Sequence, residues 1–161
     1  MERPSRIAPL IRAHRHAKAR RRISRQGEHA EQAALMRWAM FARARLPELA
    51  LLYAIPNGGH RHKATAARLK AEGVKRGVPD VCLPISRGDM HGLYIELKAE
   101  RGRPTPEQLG WIRALRRQGY AACVCRGWEQ ARTAIENYLA GRALIAVSNS
   151  LMQGGNHDEA D

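Results

Sequence analysis

One six-residue stretch, Leu93–Lys98 (LYIELK), constrains the fold of this 161-residue chain more than any other. In a β-strand, side chains two positions apart point to the same face of the sheet. The three apolar residues at odd positions therefore face a packed layer, while Glu96 and Lys98 point together to the other face. The stretch predicts a buried strand that ends in a paired carboxylate and ammonium.

A second strand is predicted over Asp80–Leu83, inside the run GVPDVCLPI. The sequence Arg87-Gly88-Asp89 supplies a turn that joins the two strands into a hairpin. In an antiparallel pair, the start of the first strand lies beside the end of the second. Asp80 is therefore expected next to Glu96 and Lys98.

The rest of the chain alternates helical and strand patterns. Thr105 has the character of an N-cap, with Pro106 at the first helical position and Gln108 three residues after the cap. Helices are predicted over 28–45, 64–72, 106–118 and 128–139, and further strands over 49–55, expected to be buried, and 120–125. This order predicts an α/β fold in which a mixed central β-sheet is flanked by helices.

Three segments differ in composition. Residues 1–26 carry nine Lys and Arg against Glu2 alone and predict a disordered basic arm, residues 27–140 a folded domain, and residues 141–161 a flexible polar tail. The three cysteines (Cys82, Cys123 and Cys125) are expected to be reduced thiols in the core of a cytoplasmic protein. The sequence contains neither a secretory signal pattern nor an apolar run long enough to cross a bilayer.

The chain is strongly basic, with 28 Lys and Arg against 15 Asp and Glu, a formal net charge of +13. Such a charge favours polyanions, and DNA is the first candidate partner. A compositional bias towards Arg from a high-GC genome is the alternative. A Gly-rich turn beside cations suits phosphate contacts, although a solvated basic loop has the same composition. The predicted DNA-binding residues are Asn57, Gly58, Gly59, Arg61, Lys63, Lys75 and Arg76.

Two carboxylates brought together by the hairpin repel each other unless a positive charge lies between them. Lys98 could serve, and Mg²⁺ would serve better, because it is bound by oxygen ligands that include one or two carboxylates. Asp80 and Glu96 are therefore predicted metal ligands, with the Leu97 carbonyl as a further one. Lys98 would then favour the deprotonated form of an attacking water. The alternative is an exposed salt bridge at a strand end, worth about 0–1 kcal/mol.

Several stretches together resemble one nuclease family. They are AIPNGGHRHKATAARLKAEGVKRGVPDVCLP, HGLYIELK, GRPTPEQ and GYAACVCRGWEQA, spread over about Glu28 to Leu139. They resemble the virus-type replication-repair nuclease domain, VRR-NUC, of the PD-(D/E)xK superfamily. The resemblance implies a restriction-endonuclease-like core that acts on DNA with Mg²⁺ or Mn²⁺.

The resemblance also assigns roles to residues of this chain. The family has an acidic residue on its first helix; Glu28 is preferred for this catalytic and metal-binding role because Gln32 and Leu35 share its helical face, and Glu31 is the alternative. By position, the resemblance assigns Asp80 and Glu96 as metal carboxylates, Lys98 as the catalytic lysine, and Gln108 as a further catalytic residue.

The function implied is a metal-dependent DNA endonuclease that leaves a 5′-phosphate and a 3′-hydroxyl. Stand-alone members of this size resemble homodimers that cut branched DNA, such as four-way junctions or flaps, in replication, recombination or repair in a bacterium or its phage. A non-catalytic basic DNA-binding module and an RNA-directed or toxin-like nuclease are the alternatives.

Overall fold

The computed structural model describes residues 27–56 and 63–142. None of the helices in these ranges is long and apolar enough to cross a membrane. The elements in chain order are α1 (27–42), a 3-10 helix (Pro47–Leu51), β1 (Tyr53–Ala54), α2 (Lys63–Ala71), β2 (Val81–Leu83), β3 (Leu93–Lys98), α3 (Pro106–Arg117), β4 (Ala121–Arg126) and α4 (Gly127–Leu139). The predicted basic arm and nearly all of the predicted tail lie outside the described residues.

The strands form one mixed sheet in the order β1-β2-β3-β4. β2 pairs antiparallel with β1 and β3, and β3 pairs parallel with β4. The odd residues of β3 pack with Leu35 of α1 and Ile135 of α4, while Ile112 of α3 packs on the opposite face against β4. The predicted mixed sheet flanked by helices is therefore confirmed. Cys82 and Cys125 are buried, as predicted for core cysteines, and Cys123 is partly buried against the same core.

The predicted buried strand over 49–55 is wrong. Pro47 begins a turn of 3-10 helix, which buries Leu49, and Leu52 follows it into the core. Apolar residues three apart fit a helical turn as well as a strand, and the proline with its fixed φ favours the turn. Only Tyr53 and Ala54 form a strand, and both are exposed at the sheet edge.

The start of α3 follows the predicted capping pattern. The Thr105 side chain accepts a hydrogen bond from the Gln108 backbone N–H (3.3 Å), and the Gln108 side chain accepts one from the Thr105 N–H (2.8 Å). This reciprocal pair satisfies two donors that a helix start would otherwise leave free. It also fixes the Gln108 side chain beside the end of β3.

Gly77 lets the segment before Asp80 approach the first turn of α3. Its φ is +81°, and an ideal Cβ there would lie 2.9 Å from the Glu107 carbonyl carbon and 3.0 Å from the Gln108 backbone nitrogen. Neither backbone atom can move aside without disturbing the capped helix. Gly73 provides a contrast, because its φ is also positive (+89°) but nothing lies within 4 Å of a built Cβ.

We therefore expect Gly77→Ala to destabilise the protein more than Gly73→Ala. Each alanine carries the cost of a left-handed backbone, roughly 1–2 kcal/mol, and at Gly77 overpacking adds about 1–3 kcal/mol more. Urea unfolding of the two variants and wild type measures the difference. Equal losses of stability would show that α3 yields to the added methyl group.

Candidate active site

Asp80 lies where the hairpin argument predicts. Val81 is paired with Ile95, so the preceding residue falls beside Glu96 at the end of β3. The Leu97 N–H donates to Asp80 Oδ2 over 2.9 Å, and the Ile55 N–H donates to the Asp80 carbonyl over 2.7 Å. Asp80 is thus held through both its side chain and its backbone.

Glu96 is completely buried, and its two carboxylate oxygens have different surroundings. Oε1 lies 2.7 Å from Lys98 Nζ and also accepts a hydrogen bond from Gln108 Nε2. Oε2 is buried and has no hydrogen-bond partner among the described residues. Lys98 itself is 4% exposed, so the alternative prediction of an exposed salt bridge at a strand end is wrong.

Burial weakens the ionisation of both carboxyl groups, and repulsion by Asp80 weakens that of Glu96 further. Loss of water, and then the charge of Asp80, raise the pKa of Glu96 to about 8. Burial also raises the pKa of Asp80, although the Leu97 N–H and Lys98 oppose the shift. For Lys98, burial would lower the pKa, but Glu96, Glu28 and Asp80 outweigh it and the pKa is raised. Lys98 therefore stays protonated, and its single positive charge does not offset the cost of ionising both Asp80 and Glu96.

Gln108 connects the start of α3 to the Glu96 carboxylate. Its Oε1 accepts from the Thr105 N–H, which leaves its Nε2 to donate to Glu96 Oε1. The two contacts fix which end of the amide faces the acid, because only the nitrogen can donate to a carboxylate. Gln108 therefore acts as a directed donor.

The two acids of α1 have separate contacts. Glu28 Oε1 lies 3.3 Å from Lys98 Nζ, so this residue reaches the cluster. Glu31 Oε2 instead accepts from the Trp128 N–H over 2.8 Å, at the first turn of α4. Of the two candidates for the acidic position on the first helix, Glu28 is the one that contacts Lys98.

The residues present fit a divalent cation in part. Among the described residues, no three His, Cys, Asp or Glu side chains are grouped closely enough to hold a metal. Mg²⁺ commonly takes only one or two carboxylates and keeps several waters. Asp80 and Glu96 supply that pair, and the unpartnered Glu96 Oε2 is an oxygen still lacking a positive neighbour. The described contact of Leu97, whose carbonyl was the further predicted ligand, is through its N–H.

The predicted DNA-binding residues divide into two groups. Lys75 and Arg76 are exposed on the segment leading to Asp80, and Trp111 Nε1 donates to the Arg76 carbonyl over 2.9 Å, which ties that segment to α3. Asn57, Gly58, Gly59 and Arg61 lie outside the described residues, as does the side chain of Lys63.

Sequence reasoning missed Arg126. β4 was expected to end at Cys125, but it extends one residue further and aligns Arg126 with Lys98. The spacing of Ala122, Val124 and Arg126 could have predicted this, because residues two apart in a strand share one face and Arg126 is the next such position.

Comparison with known proteins identifies a family and a solved relative. The sequence model of the VRR-NUC domain family matches residues 14–129. A solved structure described as "VRR_NUC domain protein" is 31% identical, covers 72% of this chain and 90% of that chain, and superposes with a TM-score of 0.62. No curated protein matches. The structural match fits the predicted restriction-endonuclease-like core.

The raised pKa of Glu96 predicts a pH-dependent stability in metal-free buffer. The native state holds this proton more tightly than the unfolded chain, whose pKa is near 4.5, so its stabilising contribution is complete below that value. It is lost as the pH rises through about 8. One pKa unit corresponds to about 1.4 kcal/mol. Urea unfolding between pH 5 and 8 should therefore show wild type losing stability, on the order of a few kcal/mol, relative to Glu96→Gln.

Glu136→Gln is the matched control. Although burial opposes it, Arg45 and Arg132 lower the pKa of Glu136, so its contribution is present above its unfolded pKa of 4.5 and lost only at lower pH. Glu136→Gln should therefore parallel wild type between pH 5 and 8. A Glu96→Gln curve that also parallels wild type would contradict the raised pKa.

Proposed function

Since the chain belongs to the VRR-NUC domain family, we propose that it is a Mg²⁺- or Mn²⁺-dependent DNA endonuclease that hydrolyses phosphodiester bonds. The family makes it a nuclease-type domain. The metal dependence, the choice of DNA and the internal position of cleavage are parts of the proposal.

The observation that carries the proposal is the buried cluster of Asp80, Glu96 and Lys98. Ionised Glu96, with its Oε2 buried and unpartnered, costs stability, about 1–3 kcal/mol or more, and the raised pKa of this group has the same cause. An apolar residue at the same place would avoid that cost. Because the ionised Glu96 carboxylate does not stabilise the fold, a bound ligand is the best explanation for it. The carboxylate oxygens of Asp80 and Glu96 favour a divalent cation as that ligand.

Each residue has a distinct role in this proposal. Asp80 and Glu96 would hold the cation, with Glu28 beside them, and the bound cation would supply charge relief at the phosphate. Gln108 keeps the Glu96 carboxylate in one orientation. Lys98 keeps its proton and would align a water with the phosphorus. The water oxygen would bond to the phosphorus and release a proton to solvent, while the bond from phosphorus to the 3′-oxygen breaks and that oxygen takes a proton from solvent, which leaves a 5′-phosphate and a 3′-hydroxyl.

The substrate proposed is branched DNA, such as a four-way junction or a flap, met in replication, recombination or repair. A homodimer with two symmetric active sites would cut both strands of such a substrate. Light scattering of the purified chain tests the assembly. A cleavage panel of matched duplex, flap, splayed and four-way DNAs at fixed salt tests the preference, because basic proteins bind every DNA at low ionic strength.

Glu96→Gln and Lys98→Ala should each lower Mg²⁺-dependent cleavage by at least about 10²-fold, the usual effect of removing one transition-state contact. DNA affinity, measured by fluorescence anisotropy, should change only a few-fold, because most binding energy comes from phosphate contacts elsewhere. Glu136 lies on α4, where it pairs with Arg45 and Arg132, and Glu136→Gln should cleave like wild type.

Full activity in Glu96→Gln would remove the assignment of the site. A wild-type protein that binds these DNAs but cuts none of them, with Mg²⁺ or Mn²⁺, would favour the non-catalytic binding module. Cleavage confined to RNA would keep the site and reject DNA as the substrate.

A further inference from the structure

Arg126 lies beside the proposed active site on the neighbouring strand. The parallel register aligns it with Lys98, and aligned residues of adjacent strands point to the same face of a sheet, about 4.8 Å apart. On that face lie Glu96 and Lys98, together with the start of α3 that supplies Gln108. Arg126 therefore shares the face and the end of the sheet on which the cluster lies.

The charge of Arg126 is not balanced by the protein in the described ranges. Lys98 has two carboxylates, those of Glu96 and Glu28. The guanidinium of Arg126 has neither an ion pair nor a hydrogen bond within residues 27–56 and 63–142. Some arginines far from the site do have partners in these ranges, as Arg45 has Glu136 and Arg87 has Glu48, while exposed arginines such as Arg117 lack one there but lie away from the cluster. Arg126 is thus a cation at the edge of the cluster whose guanidinium is available to bind an anion.

The backbone that carries Arg126 is fixed from two directions. The Arg126 N–H donates to Gln130 Oε1 over 2.9 Å, and Glu31 binds the Trp128 N–H from α1. Gly127, with a φ of +75°, turns the chain from β4 directly into α4. The side chain thus starts from a rigid point, and only its own rotamers remain to be fixed by a ligand.

We propose that Arg126 binds the nonbridging oxygens of a nucleic-acid backbone phosphate at the active site and so holds the strand against Lys98. The inference rests on the proposed function, because it takes the ligand to be the nuclease substrate. A guanidinium suits this role, since its planar fork can donate two parallel hydrogen bonds to phosphate oxygens. Arg126 is on this view a substrate-binding residue, distinct from the residues that would hold the cation.

The first experiment compares Arg126→Gln with Arg117→Gln, which removes the same charge from an exposed residue at the opposite end of α3, roughly 14 Å along the helix from Gln108. Binding to a short DNA duplex is measured with Ca²⁺ in place of Mg²⁺ over a series of salt concentrations. Arg126→Gln should weaken binding about tenfold, as the loss of a charge-assisted contact does. Its slope of log K against log salt should shrink by about 0.9, the value for one phosphate contact. Arg117→Gln should change neither quantity, and Arg126→Lys should retain the slope.

A second measurement locates the phosphate. Neutral methylphosphonate linkages are introduced one at a time along the DNA. At the contacted phosphate, wild-type affinity should fall to that of Arg126→Gln, while the variant should be insensitive to the same substitution. If Arg126 only supports the structure, Arg126→Gln should instead lose affinity at every neutral linkage by the same factor as wild type.

The two proposals fail in different ways. If wild type cleaves DNA and Arg126→Gln matches it in affinity and salt slope, the Arg126 inference is wrong and the nuclease stands. If wild type binds but never cleaves, while Arg126→Gln loses affinity at one phosphate, the nuclease is wrong and the phosphate contact stands. A wild type that does not bind DNA at all overturns both.

Discussion

The structure is organised around one buried carboxylate. Glu96 lies near the end of β3, an inner strand of the sheet, with no exposure to solvent, and a charge there is costly unless it is paired and hydrogen-bonded. Lys98 and Gln108 both contact Oε1, so Oε2 is left without a hydrogen-bond donor among the described residues. A protein selected only for stability would fill this position with an apolar residue. The surrounding elements therefore make sense as supports for a charge that the fold alone does not need.

Those supports come from local rules that act together. The capping box begins α3 and, with the same side chain, directs an amide donor at Glu96. The close approach at Gly77 brings the segment before Asp80 against that first turn. The hairpin register then delivers the Asp80 carboxylate to the Leu97 N–H. Helix start, glycine contact and strand register thus meet at one end of the sheet.

Much of this site could be predicted because its signals are short-range. Strict alternation over Leu93–Lys98 defined β3 to the residue, and the Thr105 capping pattern defined the start of α3. The failures needed long-range information. The run 49–55 has an apolar content that fits strand and helical turn equally, and only packing separates them. Arg126 lies beside the site because its strand pairs with β3, where Lys98 is 28 positions earlier in the chain. No local sequence pattern predicts that pairing.

The acids of α1 illustrate the same limit and clarify the charge balance of the site. Glu28 and Glu31 are equivalent by composition, yet one contacts Lys98 and the other caps α4. With Glu31 engaged elsewhere, three carboxylates, those of Asp80, Glu96 and Glu28, lie around Lys98, and Arg126 is aligned with Lys98 on the neighbouring strand. When all are ionised this leaves one net negative charge inside a chain of net charge +13. A polyanion attracted by the basic chain would meet a local excess of acid at this cluster. Under the proposed function, a divalent cation held by Asp80 and Glu96 would offset that excess, would favour the ionised form of Glu96 and would bring positive charge to the phosphate.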